Sequence, residues 1–184
     1  MTVAVSLLRA INVGGNNLVR MEVLRALHEE LGLTNVKTYV QSGNVVFRTK
    51  ARDMKVLGRR LEDALERKHG FRPPVLIRTA EELRHTVARN PFAARKGIEP
   101  AKLHVVFLAG RPDPAREARM RAANRGPEEF YLSGSELYVY YPEGAGRSKF
   151  TAAALEVTGT ARNWNTVTKL LAMAEALESV TYAN

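Results

Sequence analysis

The chain contains no cysteine, which excludes disulfides, thiolate metal sites and cysteine nucleophiles and is compatible with a reducing compartment. It also lacks any apolar run near the ~20 residues that cross a bilayer. Val3 to Leu8 is too short for the apolar core of a secretory signal, and no basic segment precedes it. The expectation is a cytoplasmic protein with no membrane partner. Histidine is sparse: His28, His69, His85 and His104 stand singly, with no HExxH, H-x-H or acidic metal-loop spacing, so no metal site is expected and each reads as a surface or strand histidine. The nucleophile elbow G-x-S-x-G, the S-x-x-K pair, the Walker A loop and the dinucleotide fingerprint are all missing, which leaves familiar hydrolase and nucleotide-binding constellations without support.

What is present is a strongly basic chain. Its 184 residues fit one large domain or two of roughly 90, and 45% hydrophobic residues can supply a core. The formal net charge of +9 favours polyanionic or phosphate-bearing partners by long-range attraction, which speaks to encounter rather than mechanism. Arginine supplies 20 of the 28 basic residues. That bias suits forked phosphate recognition, and equally a GC-rich genome or a hot environment.

Taken in order, Val3 to Leu8 reads as a strand covered on both faces. It runs into the polar stretch Arg9-Ala10-Ile11-Asn12-Val13-Gly14-Gly15-Asn16-Asn17 and then a helix from Met21 to Leu31, stopped by Gly32. Val36 to Val40 and Asn44 to Arg48 form a hairpin about Gln41-Ser42-Gly43. A second helix spans Asp53 to His69, ends at Gly70 before Pro73-Pro74, and leads to a strand from Val75 to Arg78. Strand, helix, strand, strand, helix, strand is the ferredoxin-like order.

After a helix around Glu81 to Arg89 and a linker from Asn90 to Pro100, the order repeats without residue-level identity. A strand from Lys102 to Ala109 precedes a helix that Asp113-Pro114 caps. Phe130 to Leu132 pairs with Leu137 to Tyr141, Phe150 to Val157 is a short helix, Gly159 to Arg162 a strand, and Thr166 to Ser179 the last helix. The expected fold class is therefore α+β: two ferredoxin-like (βαββαβ) halves in tandem, packed as one compact unit, with extra helices after each half. Residues 1–97 and 98–184 are the expected halves.

Four polar segments could carry chemistry. The opening loop, with Arg9, Asn12, Gly14, Gly15 and Asn16, joins a strand's C-terminal end to a helix, where backbone N–H groups hold anions; alternatively its asparagines simply tolerate left-handed geometry and cap the helix. Gly144 and Gly146 followed by Arg147, Ser148 and Lys149 at a helix start combine flexible backbone, two cations and a hydroxyl, where a phosphate oxygen would be well held; alternatively the stretch is simply a mobile basic loop. Gln41, Ser42, Gly43 and Asn44, and Arg162, Asn163, Trp164 and Asn165, make a second candidate cluster or a structural one, with Trp164 buried against the last helix and Asn165 as its cap. If first and third strands of each half are parallel neighbours, the opening loop and the Gly144 to Lys149 loop leave corresponding ends of their sheets, and the other two segments lie at the opposite ends.

A competing class is a nucleic-acid module, non-specific or reading RNA shape. Its basis is the net charge, the arginines at 111, 116, 119, 121 and 125, and Tyr138 and Tyr140 alternating on one strand. The RNP1 pattern is missing, and a solvated basic helix with packed tyrosines explains the same residues.

The stretches Leu7 to Asn17, Thr38 to Phe47, Arg147-Ser148-Lys149 and Arg162 to Val167 together resemble the bacterial family known as domain of unknown function 1697. The resemblance spans essentially the whole chain and implies a cytosolic bacterial α+β protein and the same four segments as motif positions. It implies no activity, cofactor or oligomeric state. One departure is Ala10, where the family usually has glycine after the arginine. The functional expectation is a binder of a phosphorylated or anionic small molecule through glycine-rich and basic loops, an enzyme of unknown reaction or none, with nucleic acid as the alternative partner.

Overall fold

The computed structural model describes residues 1–150 and 152–180. Its elements are β1 (Thr2–Leu8), α1 (Met21–Glu30), β2 (Thr34–Tyr39), β3 (Asn44–Thr49), α2 (Met54–His69), β4 (Val75–Thr79), α3 (Ala80–Ala88), β5 (Leu103–Leu108), α4 (Pro114–Ala123), β6 (Glu129–Ser133), β7 (Glu136–Tyr140), β8 (Gly159–Asn163) and α5 (Trp164–Ser179). They make two four-stranded sheets, ordered β2-β3-β1-β4 and β6-β7-β5-β8, with every neighbouring pair antiparallel. This is the tandem ferredoxin-like arrangement. The chain divides into two compact units, Met1–His85 with the segment from Thr168, and Thr86–Val167.

In the first unit the apolar stripes of α1 and α2 cover one face of the sheet. Leu24, Leu27, Leu57, Leu61 and Leu65 meet Ala4, Leu8, Val45, Phe47, Val75 and Ile77 in one cluster. Helix α2 forms where its stripe begins because Asp53 accepts the backbone N–H groups of Lys55 and Val56, two donors the first turn would otherwise leave unpaired. Val3, Val5, Leu7 and Val46 are buried as well, which is why β1 reads as continuously apolar. On that second face Arg48 of β3 donates to the Leu177 carbonyl of α5, and Arg84 of α3 pairs with Glu175 and Glu178 of α5 at 3.1 and 2.8 Å.

The orientation of the strands corrects one expectation. β1 and β3 are neighbours, but antiparallel: Thr2 faces Thr49 and Leu7 faces Asn44. The β1–α1–β2 crossover sets β1 and β2 parallel with a gap between them. β3, tied to β2 by a hairpin, fills the gap running the other way. The same holds for β5 and β7.

In the second unit Met120 of α4 and Leu155 join Val106, Leu108, Phe130, Leu137 and Val139 in a smaller cluster. Pro114 opens α4 and Asp113 caps it, accepting from Ala115 N at 2.7 Å. The helix expected from Phe150 to Val157 is instead one 3-10 turn, Ala152–Leu155; Thr151 lies outside the described residues. The run is too short to nucleate an α-helix. Its start is held by Phe150 N donating to Ser148 Oγ at 2.9 Å, and its end turns at Glu156, whose φ is +51°.

The two units do share residue-level detail. Arg78 of β4 faces Val5 of β1, and Arg162 of β8 faces Val105 of β5. Each arginine is 8% exposed, and each is followed by one residue that caps a helix. Thr79 and Glu82 exchange bonds at 3.1 and 2.8 Å. Asn163 Oδ1 accepts from Thr166 N at 2.9 Å. The cap of α5 is therefore Asn163, not Asn165, and Trp164, half-buried, is the first residue of the helix.

Candidate functional site

The opening loop folds into a small hairpin of its own. Gly14 and Gly15, at φ +57° and +79°, occupy both central positions of a tight turn, with Asn16 N donating to Val13 O at 3.0 Å and Asn12 N to Asn17 O at 3.2 Å. The glycines are therefore used at an exposed tip, ahead of α1. Helix α1 is preceded by Arg20, which makes no side-chain cap, so the asparagines do not cap it. They tie the loop down instead. Asn12 accepts from Val19 N at 2.8 Å and donates to Val19 O at 3.0 Å and Gln41 O at 2.9 Å, and Asn17 donates to Ala10 O at 3.0 Å. Ala10 itself has φ +55°, which gives a physical reason for the glycine common there.

Because β1 and β3 are antiparallel, the Gln41 to Asn44 turn meets the opening loop directly. Leu8 N donates to Gly43 O at 2.9 Å. A Cβ on Gly43 would stand 2.8 Å from Leu8 Cβ and Ile11 Cδ1. Asn44 is fully buried and donates to Tyr39 O at 3.1 Å and Ser42 Oγ at 2.8 Å. Arg9, exposed, lines with Asn17, Phe71 and Arg72 a recess of about 190 Å³. Arg72 there is already committed to Glu62, Asp63 and Glu66, which raises its pKa further.

In the second unit β7 and β8 both run antiparallel to β5, so the Gly144 to Lys149 loop and the Arg162 to Asn165 segment leave the same end of that sheet. They have different fates. The Arg162 guanidinium is buried, donating to Thr160 Oγ1 and Ala161 O, each at 2.8 Å, and desolvation pulls its pKa down to about 10, still protonated near neutrality. Arg147 and Lys149 are exposed and line a cavity of about 370 Å³. The expected helix start is not beneath them: Ala145–Arg147 is a single 3-10 turn. Side-chain cations, rather than a helix dipole, define this site.

The other wall comes from the end of α4 and the turn after it: Met120, Asn124, Arg125, Pro127 and Glu128. Ser148 joins the walls by donating to a Glu128 carboxylate oxygen. Asn124 holds the turn, donating to Glu128 O at 3.0 Å. Among the described residues Arg125, Arg147 and Lys149 have no ion pair. Arg95, Arg116, Arg119 and Arg121 are bound to Glu129, Glu156, Glu156 and Glu117. Glu143 is the exposed carboxylate of the cavity, so the wall carries three cations, one carboxylate occupied by Ser148 and one open to solvent.

Sequence reasoning placed Arg125 in the basic helix and passed over Glu128 and Glu143. The usable signal was Asn124-Arg125-Gly126-Pro127, a turn composition directly after a capped helix. A third recess, about 640 Å³ near Lys50 and Arg52, is broad, and the helix ends beside it are filled by Asp53 and by the Thr79–Glu82 exchange.

The rings at Tyr138 and Tyr140 are 1% and 8% exposed, and the Tyr138 hydroxyl donates to Thr86 O at 2.7 Å. They present no face on which a base could stack. Of the histidines, His28 departs from the surface-or-strand reading: it is a fully buried helical residue whose Nδ1–H donates to Leu24 O at 2.8 Å and whose Nε2 accepts from Ser6 Oγ at 2.9 Å. No helix among the described residues is long and apolar enough to cross a membrane, and among them no three His, Asp or Glu residues gather as metal ligands.

A family described as "protein of unknown function (DUF1697)" matches residues 1–138. The structure is similar to that of the conserved bacterial protein SP0830 from Streptococcus pneumoniae, at a TM-score of 0.75 and 23% identity, covering 95% of this chain and 99% of that one. At that identity the likeness concerns the fold. No curated protein matches the chain.

Proposed function

The chain belongs to the DUF1697 family, and from that premise we propose that its second unit binds a small phosphorylated or otherwise anionic molecule in the cavity between the α4–β6 turn and the Gly144 to Lys149 loop. The observation that carries this reading is the set of three cations, Arg125, Arg147 and Lys149, without ion pairs among the described residues, around one cavity of about 370 Å³. Its volume lies in the range of small-ligand sites. Two arginine forks and a lysine give a phosphate or carboxylate charge-assisted donors from both walls. The Ser148–Glu128 bond fixes one wall against the other, so less ordering is left to the moment of binding.

A polynucleotide is a poorer fit. The tyrosines that would stack bases are buried, and the three arginines on α4 are paired with Glu117 and Glu156, which leaves them one net positive charge among them. The test is the melting temperature of the wild type and of Arg147→Ala/Lys149→Ala with inorganic phosphate, pyrophosphate, sugar phosphates and short RNA, at low and moderate salt. Ligand at a hundredfold excess over its Kd stabilises by about 2.7 kcal/mol, a readable shift. The expected result is a shift with a small anion that survives moderate salt and is lost in the double variant. An equal shift in the double variant, or shifts with RNA alone that vanish with salt, would refute the proposal.

A further inference from the structure

The cationic rim is only part of the cavity. Met120, Pro127 and Phe150 complete it with apolar surface. Phe150 packs against two other rings: its ring lies 5.0 Å from Phe130, tilted by 31°, and 6.3 Å from Tyr141, near edge-on at 68°. A ring fixed in that way offers a rigid flat face at little entropic cost, because its rotamer is already set by packing. The cavity of about 370 Å³ is in the size range of small-ligand sites and larger than a phosphate group alone fills. A ligand that was phosphate alone would leave the apolar part of the wall against water.

Resting on the anion-binding reading above, we propose that the ligand is a phosphate monoester with a flat aromatic body, of aryl or nucleobase size. Its phosphate lies among Arg125, Arg147 and Lys149 and its ring against Phe150. Stacking on a fixed aromatic ring and burial beside Met120 and Pro127 give such a body about tenfold or more in affinity over an equally charged ligand without one.

The experiment is isothermal titration of the full chain at constant moderate salt with four probes: phenyl phosphate, adenosine monophosphate, glycerol phosphate and inorganic phosphate. The proteins are the wild type, Phe150→Leu and Arg147→Ala/Lys149→Ala. Phenyl phosphate and adenosine monophosphate are expected to bind at least tenfold more tightly than the other two. Phe150→Leu should erase most of that advantage while leaving inorganic phosphate unchanged. Equal affinity for all four probes in the wild type, or an undiminished advantage in Phe150→Leu, would overturn the aromatic-body proposal and leave anion binding standing. Absence of binding by all four, or unchanged binding in the double variant, would overturn both. If Phe150→Leu fails to give the wild-type circular dichroism spectrum, the wild-type ligand series decides alone.

Discussion

Acidification should weaken the fold well before the carboxylates titrate, and His28 is the reason. Its imidazole is fully buried, donating from Nδ1 to Leu24 O and accepting at Nε2 from Ser6, with the Phe47 ring 5.6 Å away. Desolvation by burial outweighs the bond to Leu24 and lowers the pKa from 6.5 to about 4. Between those values the unfolded chain takes up a proton that the folded chain refuses. Stability is therefore full above about pH 6.5, falls as the pH drops, and levels off below about pH 4. At 1.36 kcal/mol per pKa unit the whole effect is about 3 kcal/mol, of which about 2 kcal/mol is lost by pH 5. His104, also shifted down by burial, adds to the slope in the same direction.

The difference between wild type and His28→Gln isolates the term, because glutamine stays neutral throughout. Urea midpoints followed by far-UV circular dichroism from pH 7.5 to 5.0 would measure it, with the His28 ring signal in proton NMR as a direct reading of its titration. The expected result is a wild-type stability that falls through this window, a much flatter profile in His28→Gln, and a His28 ring that does not titrate above pH 5. A His28→Gln profile parallel to the wild type would refute the assignment.

Two further outcomes follow from local geometry. Gly43→Ala combines a left-handed φ of +74° with a Cβ placed 2.8 Å from Leu8 and Ile11, so it should cost about 2 kcal/mol or more, read as a lowered urea midpoint with unchanged slope. Tyr138→Phe removes the buried 2.7 Å bond from the hydroxyl to Thr86 O and should cost about 0.5–1.5 kcal/mol. Oligonucleotide binding, measured by fluorescence anisotropy, should be the same as in the wild type, since the ring is not at the surface.

Most of the fold is legible in the sequence because its causes are local. Alternation and apolar runs give the strands, stripes at helical spacing give α1, α2 and α5, and Asp53, Asp113 and Gly70 place helix ends through bonds spanning only a few residues. The run from Phe150 to Val157 misleads because its composition suits a helix while its length and flanking turns do not support one. The site is less legible. Arg147, Ser148 and Lys149 stand out as a motif, but their companions Arg125 and Glu128 lie about twenty residues earlier and become neighbours only when the end of α4 is set against the loop after β7.

The antiparallel pairing of β1 with β3 is a matter of how a crossover and a hairpin share one sheet, and it alone brings Asn12 to Gln41. Burial of Tyr138, Arg162 and His28 likewise depends on what covers them. Sequence by itself determined most of the elements, their order and the total charge, since each of these is written in neighbouring residues. Tertiary structure decided which loops meet, which arginines pair with carboxylates and which cations line the cavity beside the Gly144 to Lys149 loop, because those outcomes depend on distances between segments that the chain keeps far apart.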